Sequence, residues 1–271
     1  MLVKSLHIYP VKSCHGIDLA QADVRERGLA GDRRFMLVDG DGQFITQRQN
    51  PNLARVNVCK TNTGLLLTLD NHPPLNIDMM ATKIRKNVTV WRSTLEVCWA
   101  NADVNEILST WFGKTVSLVF MDEKSQRMVN SVWASTPSQV SFADGYPILV
   151  TNTASLDALN AHIVASGGDP VPMSRFRPNV VVHSEEAWGE DNWKSLQIGD
   201  VVLDLVKPCT RCIMTTLDQN TGKKQSREPL RALKTLRTSP DPNNAGVIFG
   251  MNAVVRKTGD VQINTPVQLV L

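Results

Sequence analysis

The chain has 271 residues, 42% of them hydrophobic and 20% charged. This is an ordinary globular composition that excludes a disordered chain and allows one large or two modest domains with proper cores. A net charge of +3 is too small to indicate a nucleic-acid polymer as partner and suits an anionic small ligand at least as well. No apolar run reaches the length of a membrane span, and the amino terminus has no apolar signal region. The five cysteines, an odd number, argue against a disulfide scaffold, so the expectation is a cytoplasmic protein in a reducing compartment.

Residues 1–9 read as a strand ended by Pro10. The polar turn Val11-Lys12-Ser13-Cys14-His15-Gly16 follows and displays a cation beside a hydroxyl. Gly28-Leu29-Ala30-Gly31-Asp32-Arg33 is a glycine-punctuated turn into the strand Phe35–Val38. Asp39-Gly40-Asp41-Gly42 is a hairpin signal, with Phe44-Ile45-Thr46 as the returning strand and Arg48-Gln49-Asn50-Pro51 ending it. Short strands near 53–59, 64–69, 74–78, 87–91 and 94–99 make residues 1 to about 100 a small all-β unit. Apolar residues at 104, 107, 108, 111 and 112 have helical spacing, capped by Gly113. Residues 121–141 are polar and interrupted by Pro137, and read as a crossing between domains or a loop over a site.

In the second half, the strand Ile148–Val150 leads into an N-capped amphipathic helix over 151–160. Its start, Thr151-Asn152-Thr153, is rich in hydroxyl and amide groups, and a helix start attracts anions. Arg175-Phe176-Arg177-Pro178-Asn179 places two guanidiniums before the strand Val180–Val182. Arginine forks match phosphate or carboxylate oxygens, and an asparagine amide suits the edge of a heterocycle. A helix over 229–236 and strands near 252–256 and 266–271 close the chain. The stretch Val201–Val206 reads as a buried strand that Pro208 stops, which sets Cys209-Thr210-Arg211-Cys212 at a strand end, with Ile213-Met214-Thr215-Thr216 favouring strand beyond it.

The C-x-x-C admits several chemistries. Zinc needs two more ligands, and the histidines show no H-x3–5-H spacing. A thioredoxin-type dithiol would open a helix. One thiolate could instead ligate a soft metal brought by a cofactor, with Arg211 favouring the thiolate form, or the pair could be purely structural. Taken singly, Lys12-Ser13, Asp32-Arg33 and Arg177-Asn179 are ordinary loops; together they suggest one site for an anionic heteroaromatic ligand.

Tyr9-Pro10-Val11-Lys12-Ser13-Cys14, Gly28-Leu29-Ala30-Gly31-Asp32-Arg33, Phe142-Ala143-Asp144-Gly145-Tyr146-Pro147, Phe176-Arg177-Pro178-Asn179 and Pro208-Cys209-Thr210-Arg211-Cys212-Ile213, in that order and nearly end to end, resemble the MOSC family. They are most similar to bacterial YcbX-like proteins and the mitochondrial amidoxime-reducing component. The resemblance implies a mainly β, α+β fold: an N-terminal MOSC β-barrel domain (residues 1–122) and a MOSC β-barrel domain with helices (residues 123–271). It implies a molybdenum cofactor, a pyranopterin dithiolene with a terminal phosphate, bound at the junction. By match to the family motif, Cys212 would be the catalytic molybdenum ligand and Cys209 its neighbour. Thr210 and Arg211 would contact the cofactor, and Lys12, Ser13, Arg33, Arg177 and Asn179 would hold phosphate and pterin. Thr151 and Asn152 match less closely, since their residue types differ.

The implied reaction is two-electron reduction of hydroxylamines, amidoximes and N-hydroxylated bases to amines, a detoxifying oxidoreductase activity. The sequence contains no plant-type C-x4-C-x2-C iron–sulfur motif, so the expected partners are a small N-hydroxylated substrate and a separate reductase or ferredoxin-type donor. A cofactor carrier or sulfur-handling protein is the other function the resemblance allows. Pyridoxal phosphate finds no support, because no lysine stands in a recognisable Schiff-base context.

Overall fold

The structure, a computed structural model, describes residues 1–79 and 84–270. The chain opens with β1 (Leu2–Ile8), β2 (Ile17–Leu19), β3 (Gln21–Arg25), β4 (Gly28–Leu29) and β5 (Phe35–Val38). A 3-10 turn at Pro51–Arg55 precedes β6 (Asn57–Lys60), β7 (Gly64–Thr68), β8 (Leu75–Asp78), β9 (Arg85–Val90) and β10 (Ser93–Trp99). Helix α1 (Ala102–Phe112) and β11 (Ser117–Phe120) follow. The second half contains β12 (Ile148–Asn152), α2 (Thr153–Ala165), β13 (Val180–His183), β14 (Ser195–Ile198), β15 (Val201–Thr210), α3 (Leu230–Leu236), β16 (Ile248–Lys257), β17 (Gly259–Gln262) and β18 (Val267–Val270). The fold is mostly β, as its dense β-branched and turn-punctuated sequence predicts.

Eight strands form the largest sheet, in the order β18-β14-β15-β16-β12-β13-β1-β2. The first strands of the chain therefore lie at the edge of a sheet built otherwise from residues 148–270, with Leu6 paired to Val180. A second tie is β3, which pairs with β17. The core under this sheet joins Val3, Leu6 and Ile8 to Val150, Val182, Leu203 and Ala253. Strand β4 extends that β17-β3 pair, and the remaining early strands form two smaller sheets, β5-β11-β10-β9 and β6-β7-β8. Helix α1 buries Leu108 and Trp111 against them and ends at Gly113, whose φ of 63° supplies the left-handed turn a C-cap needs.

One pair, β12 and β13, runs parallel, with Val150 opposite Val180 and α2 as the crossover. Both strands are shielded on either face, which matches their run of apolar residues. Because they are parallel, Leu149 and Asn179 lie at the same end, and the start of α2 lies at the other.

The structure departs from the sequence reading in five places, the first being the strand expected near 53–59, which opens as the 3-10 turn Pro51–Arg55 and is a strand only from Asn57. Pro208 does not stop β15, which continues to Thr210. Beyond Asp204 the neighbouring β14 has no partner residue on β15, and the ladder to β16 shifts register on both sides of Pro208. The missing proline N–H thus leaves no central-sheet bond unmade. Ile213–Thr216 is a 3-10 turn, not a strand, with the Cys212 carbonyl accepting the Thr215 N–H and hydroxyl. Phe44–Thr46 makes isolated bridges only, because Gln49 Oε1 accepts both the Thr46 N–H and its hydroxyl and bends the chain out of the ladder. Thr151 and Asn152 end β12, so the helix starts at Thr153. The expected last strand is observed over Val267–Val270, and Leu271 lies outside the described residues.

Candidate functional site

Where the early turns meet the eight-stranded sheet, a cleft of about 390 Å³ opens. Its wall carries Lys12, Arg33, Arg48, Arg175, Arg177, Lys207 and Arg211 against a single carboxylate, Asp144. Such an imbalance in a concave, partly dry site attracts anions strongly.

Each element brings its cation by a local device. Ser13, Arg33 and Arg177 have φ of 68°, 45° and 53°, left-handed conformations that cost of order 1–3 kcal/mol each and collect at functional sites. Arg33 is tied to Asp32 at 2.7 Å, to Asn179 Oδ1 at 3.1 Å and to the Arg177 carbonyl at 3.2 Å. Asp32 is itself buried and accepts the Tyr9 N–H at 2.8 Å. The Tyr9 ring lies under both guanidiniums, 4.4 Å from Arg33 and 4.0 Å from Arg177. Burial pushes the Tyr9 hydroxyl up to about 12 against the pull of those two cations. Burial, reinforced by Arg33, draws Arg177 down to about 10, although Tyr9 opposes it.

Lys12 is buried and donates to the Phe142 carbonyl at 2.7 Å and to Asp144 at 2.5 Å. Burial lowers its proton affinity, and Asp144 restores part of it. Burial would raise the Asp144 carboxyl, but Lys12 and then Arg48 and the Trp91 N–H hold it well below the usual range. The segment that presents Asp144 is pinned from behind by Arg127, which donates to the carbonyls of Ser141, Ala143 and Asp144. Residues 121–141, read from sequence as a crossing between domains or a loop over a site, line none of the cleft themselves and act through Arg127 as a brace behind the segment that does.

On the residues that line the cleft, three guanidinium nitrogens, Arg175 Nε, Arg177 Nη2 and Arg211 Nη2, are buried without a hydrogen-bond partner. Buried donors are normally paired, so three on one wall mark a place where a ligand's acceptors belong. Arg211 uses its other nitrogens on the Phe249 and Phe176 carbonyls, at 3.0 and 3.2 Å. It makes no hydrogen bond to a cysteine sulfur. That contact is made by Arg48, whose Nη2 lies 3.2 Å from Cys212 Sγ. Cys209 Sγ contacts instead the Thr210 carbonyl, at 3.8 Å.

The cleft brings together Lys12, Ser13, Arg33, Arg177, Asn179, Thr210, Arg211 and Cys212, eight of the ten candidates named from sequence. Asn179 is already committed: its amide oxygen accepts from Leu149 N–H and Arg33, and its amide nitrogen donates to the His7 carbonyl. It clamps β1, β12 and Arg33 together. Thr151 and Asn152 do not line the cleft, because they lie at the far end of β12. Asn152 caps α2 and donates to the Glu186 carbonyl and to Glu190. Sequence reasoning missed Arg48 and Trp91, and also the buried amide pair Gln47 and Gln219, which joins the Ser13 carbonyl to Arg177.

A family model described as the MOSC N-terminal beta barrel domain matches residues 1–115, and one described as the MOSC domain matches residues 137–268. The chain belongs to the MOSC family. This MOSC protein is 30% identical to the mouse (Mus musculus) mitochondrial amidoxime-reducing component 1 and 32% identical to the rat (Rattus norvegicus) mitochondrial amidoxime reducing component 2. Each alignment covers 98% of this chain and 82% of the relative. The human (Homo sapiens) component 1 is 28% identical over the same shares. Among solved structures, YiiM from Geobacillus stearothermophilus overlaps 46% of this chain and 55% of that one at 14% identity and a TM-score of 0.32, a likeness too low to bear on fold or function. Among the described residues no helix is long and apolar enough to cross a membrane.

Proposed function

We propose that this MOSC protein holds a molybdenum cofactor in the cleft, with Cys212 as the protein ligand to the metal, and reduces N-hydroxylated compounds to amines. The observation that carries the reading is the Cys212 thiol, which lines the cleft together with Cys209, alone of the two touches Arg48, and is set among guanidiniums, three of whose buried nitrogens lack partners. Those donors fit the phosphate and polar edge of a pterin. Among the described residues no three His, Cys, Asp or Glu side chains gather to hold a metal. A metal on Cys212 would therefore bring most of its ligands with it, as a dithiolene cofactor does.

When bound, the cofactor supplies the two-electron redox chemistry. The chain's part is to bind and orient it. Arg33 and Arg177, stacked on Tyr9, and the backbone turns at Ser13 and Arg177 would hold the anionic end; Thr210, Arg211 and Cys212 would hold the metal end. The names of the relatives support an oxidoreductase role. Hydroxylamines, amidoximes and N-hydroxylated bases as substrates, a separate reductase or ferredoxin-type donor, and a detoxifying role in a reducing compartment belong to the same proposal, the last supported by five free thiols. The division into residues 1–122 and 123–271 is supported by the matched ranges, with β1 shared between the two.

The test is to express the protein with cofactor biosynthesis intact, measure bound molybdenum, and assay benzamidoxime reduction with an artificial one-electron donor. Cys212→Ser should abolish turnover, while Cys209→Ser should retain a substantial part of it. Wild type without molybdenum overturns the reading. Bound molybdenum with no turnover, under a donor that reduces the metal, would make the protein a cofactor carrier instead.

A further inference from the structure

Cys212 and the arginine that touches it both line the cleft but come from points 164 positions apart in the chain. The Arg48 guanidinium is held there from three sides. Its Nη2 is 3.2 Å from Cys212 Sγ, its Cζ lies 5.0 Å from the centre of the Trp91 ring, and Asp144 Oδ2 stands 3.9 Å from Nη2. The supports are themselves supported. Trp91 donates to Asp144 at 3.1 Å, Phe44 packs on its ring at 4.9 Å, and Lys12 fixes the same carboxylate. Trp91 also sits at φ 57°, a conformation rare for a bulky side chain and tolerated only where the surroundings enforce it. The arrangement delivers one N–H to one sulfur.

We propose that Arg48 is a positioning residue for Cys212, donating an N–H···S hydrogen bond that sets how strongly the sulfur donates to a metal bound on it. This rests on the reading of Cys212 as the metal ligand. Hydrogen bonds to a ligating sulfur withdraw electron density from it and favour the reduced metal, so they raise the reduction potential. Arginine suits the task because its planar fork can stack on the indole while its edge donates to sulfur. A lysine could donate but could not stack in the same plane.

The experiment takes the full chain, expressed with cofactor biosynthesis intact, as wild type, Arg48→Met, Arg48→Lys and Trp91→Phe. Molybdenum content and the midpoint potential by EPR-monitored redox titration are read for each. Arg48→Met should retain molybdenum near the wild-type ratio with its potential shifted to lower values. Arg48→Lys should shift in the same direction by less, and Trp91→Phe, which preserves a ring face, should stay near wild type. A metal-loaded Arg48→Met protein at the wild-type potential overturns the proposal. So does a folded Arg48→Met protein without molybdenum, since the arginine would then be a direct holder of the anionic group. Wild type without molybdenum overturns the reading of Cys212 itself, and this proposal with it.

Discussion

Asp32 is the counter-charge on which the cationic wall depends, and its removal should be costly. Its carboxylate is buried, with one oxygen on the Tyr9 N–H at 2.8 Å and the other on Arg33 at 2.7 Å. Arg33 and Arg177 both lie on the Tyr9 ring, so Asp32→Ala leaves two neighbouring guanidiniums without the charge that separates their interests and orphans a backbone donor. Breaking a buried ion pair from one side costs about 3–5 kcal/mol, a large part of the roughly 5–15 kcal/mol that holds a domain folded. Asp32→Asn keeps an acceptor for Tyr9 but turns its amide nitrogen toward Arg33, losing the charge and that hydrogen bond, so its cost should be at least the roughly 1.5–3 kcal/mol typical of a hydrogen bond to an ionised group. The assay is urea unfolding, read as a fall in midpoint at constant slope, repeated with added phosphate. Phosphate should stabilise Asp32→Asn more than wild type, because an anion in the cleft replaces the missing charge. An Asp32→Ala midpoint within about 0.5 kcal/mol of wild type, the scatter of an ordinary surface substitution, would refute the electrostatic argument.

Glu190 is fully buried with Oε1 unpartnered, and burial raises its carboxyl although Ser155 and Asn152 hydrogen-bond to it. A carboxyl whose folded pKa lies above the unfolded value keeps its proton longer when folded, so stability falls as pH rises from the unfolded value through the folded one. Glu190→Gln should flatten that decline in melting temperature, and a profile identical to wild type would contradict the assignment. At Gly28, φ is 98° and an added Cβ would meet the Pro147 carbonyl oxygen at 2.5 Å. At Gly113, φ is 63° with nothing within 4 Å. Gly113→Ala should cost about 1–2 kcal/mol from the left-handed backbone alone, and Gly28→Ala clearly more. Equal urea midpoints for the two variants would show that the close approach at Pro147 relaxes freely.

The residues legible in the sequence were those whose chemistry is displayed by local punctuation. Lys12, Arg33 and Arg177 follow a strand end, a glycine turn and a short loop, and all three line the cleft. Arg48 has the same charge but lies in a polar turn that reads as a strand end. Nothing local indicates that it crosses to a sulfur 164 positions away. Thr151 and Asn152 carried a strong local signal, a hydroxyl-rich helix start, and that signal is real: Asn152 caps α2. It misled because the direction of β12 decides which end of the strand faces the cleft, and direction follows from pairing with β13. The same limit applies to β1, whose alternating pattern identifies a strand but not its partner among residues 180–183. Pro208 shows the opposite error. Proline excludes only a position whose N–H is needed, and at that point in β15 none is.

Three features of the cleft have one physical consequence. Left-handed backbone at Ser13, Arg33 and Arg177 is strained, like charges at Arg33 and Arg177 repel across Tyr9, and Arg175, Arg177 and Arg211 each bury an unpaired donor. The repulsion and the unpaired donors are both answered by an anion with several acceptor atoms, whose binding would also offset the cost of the strained turns. Binding free energy would then be folding free energy for this part of the chain. Residues 175–179 and 208–214 should accordingly exchange their amide hydrogens faster in protein purified from cells unable to make a molybdenum cofactor than in protein from cells that can, while β7, none of whose residues lines the cleft, should exchange alike. Uniform exchange across the cleft in the two preparations would mean that the cleft is complete without a ligand and that the orphaned donors are answered by water.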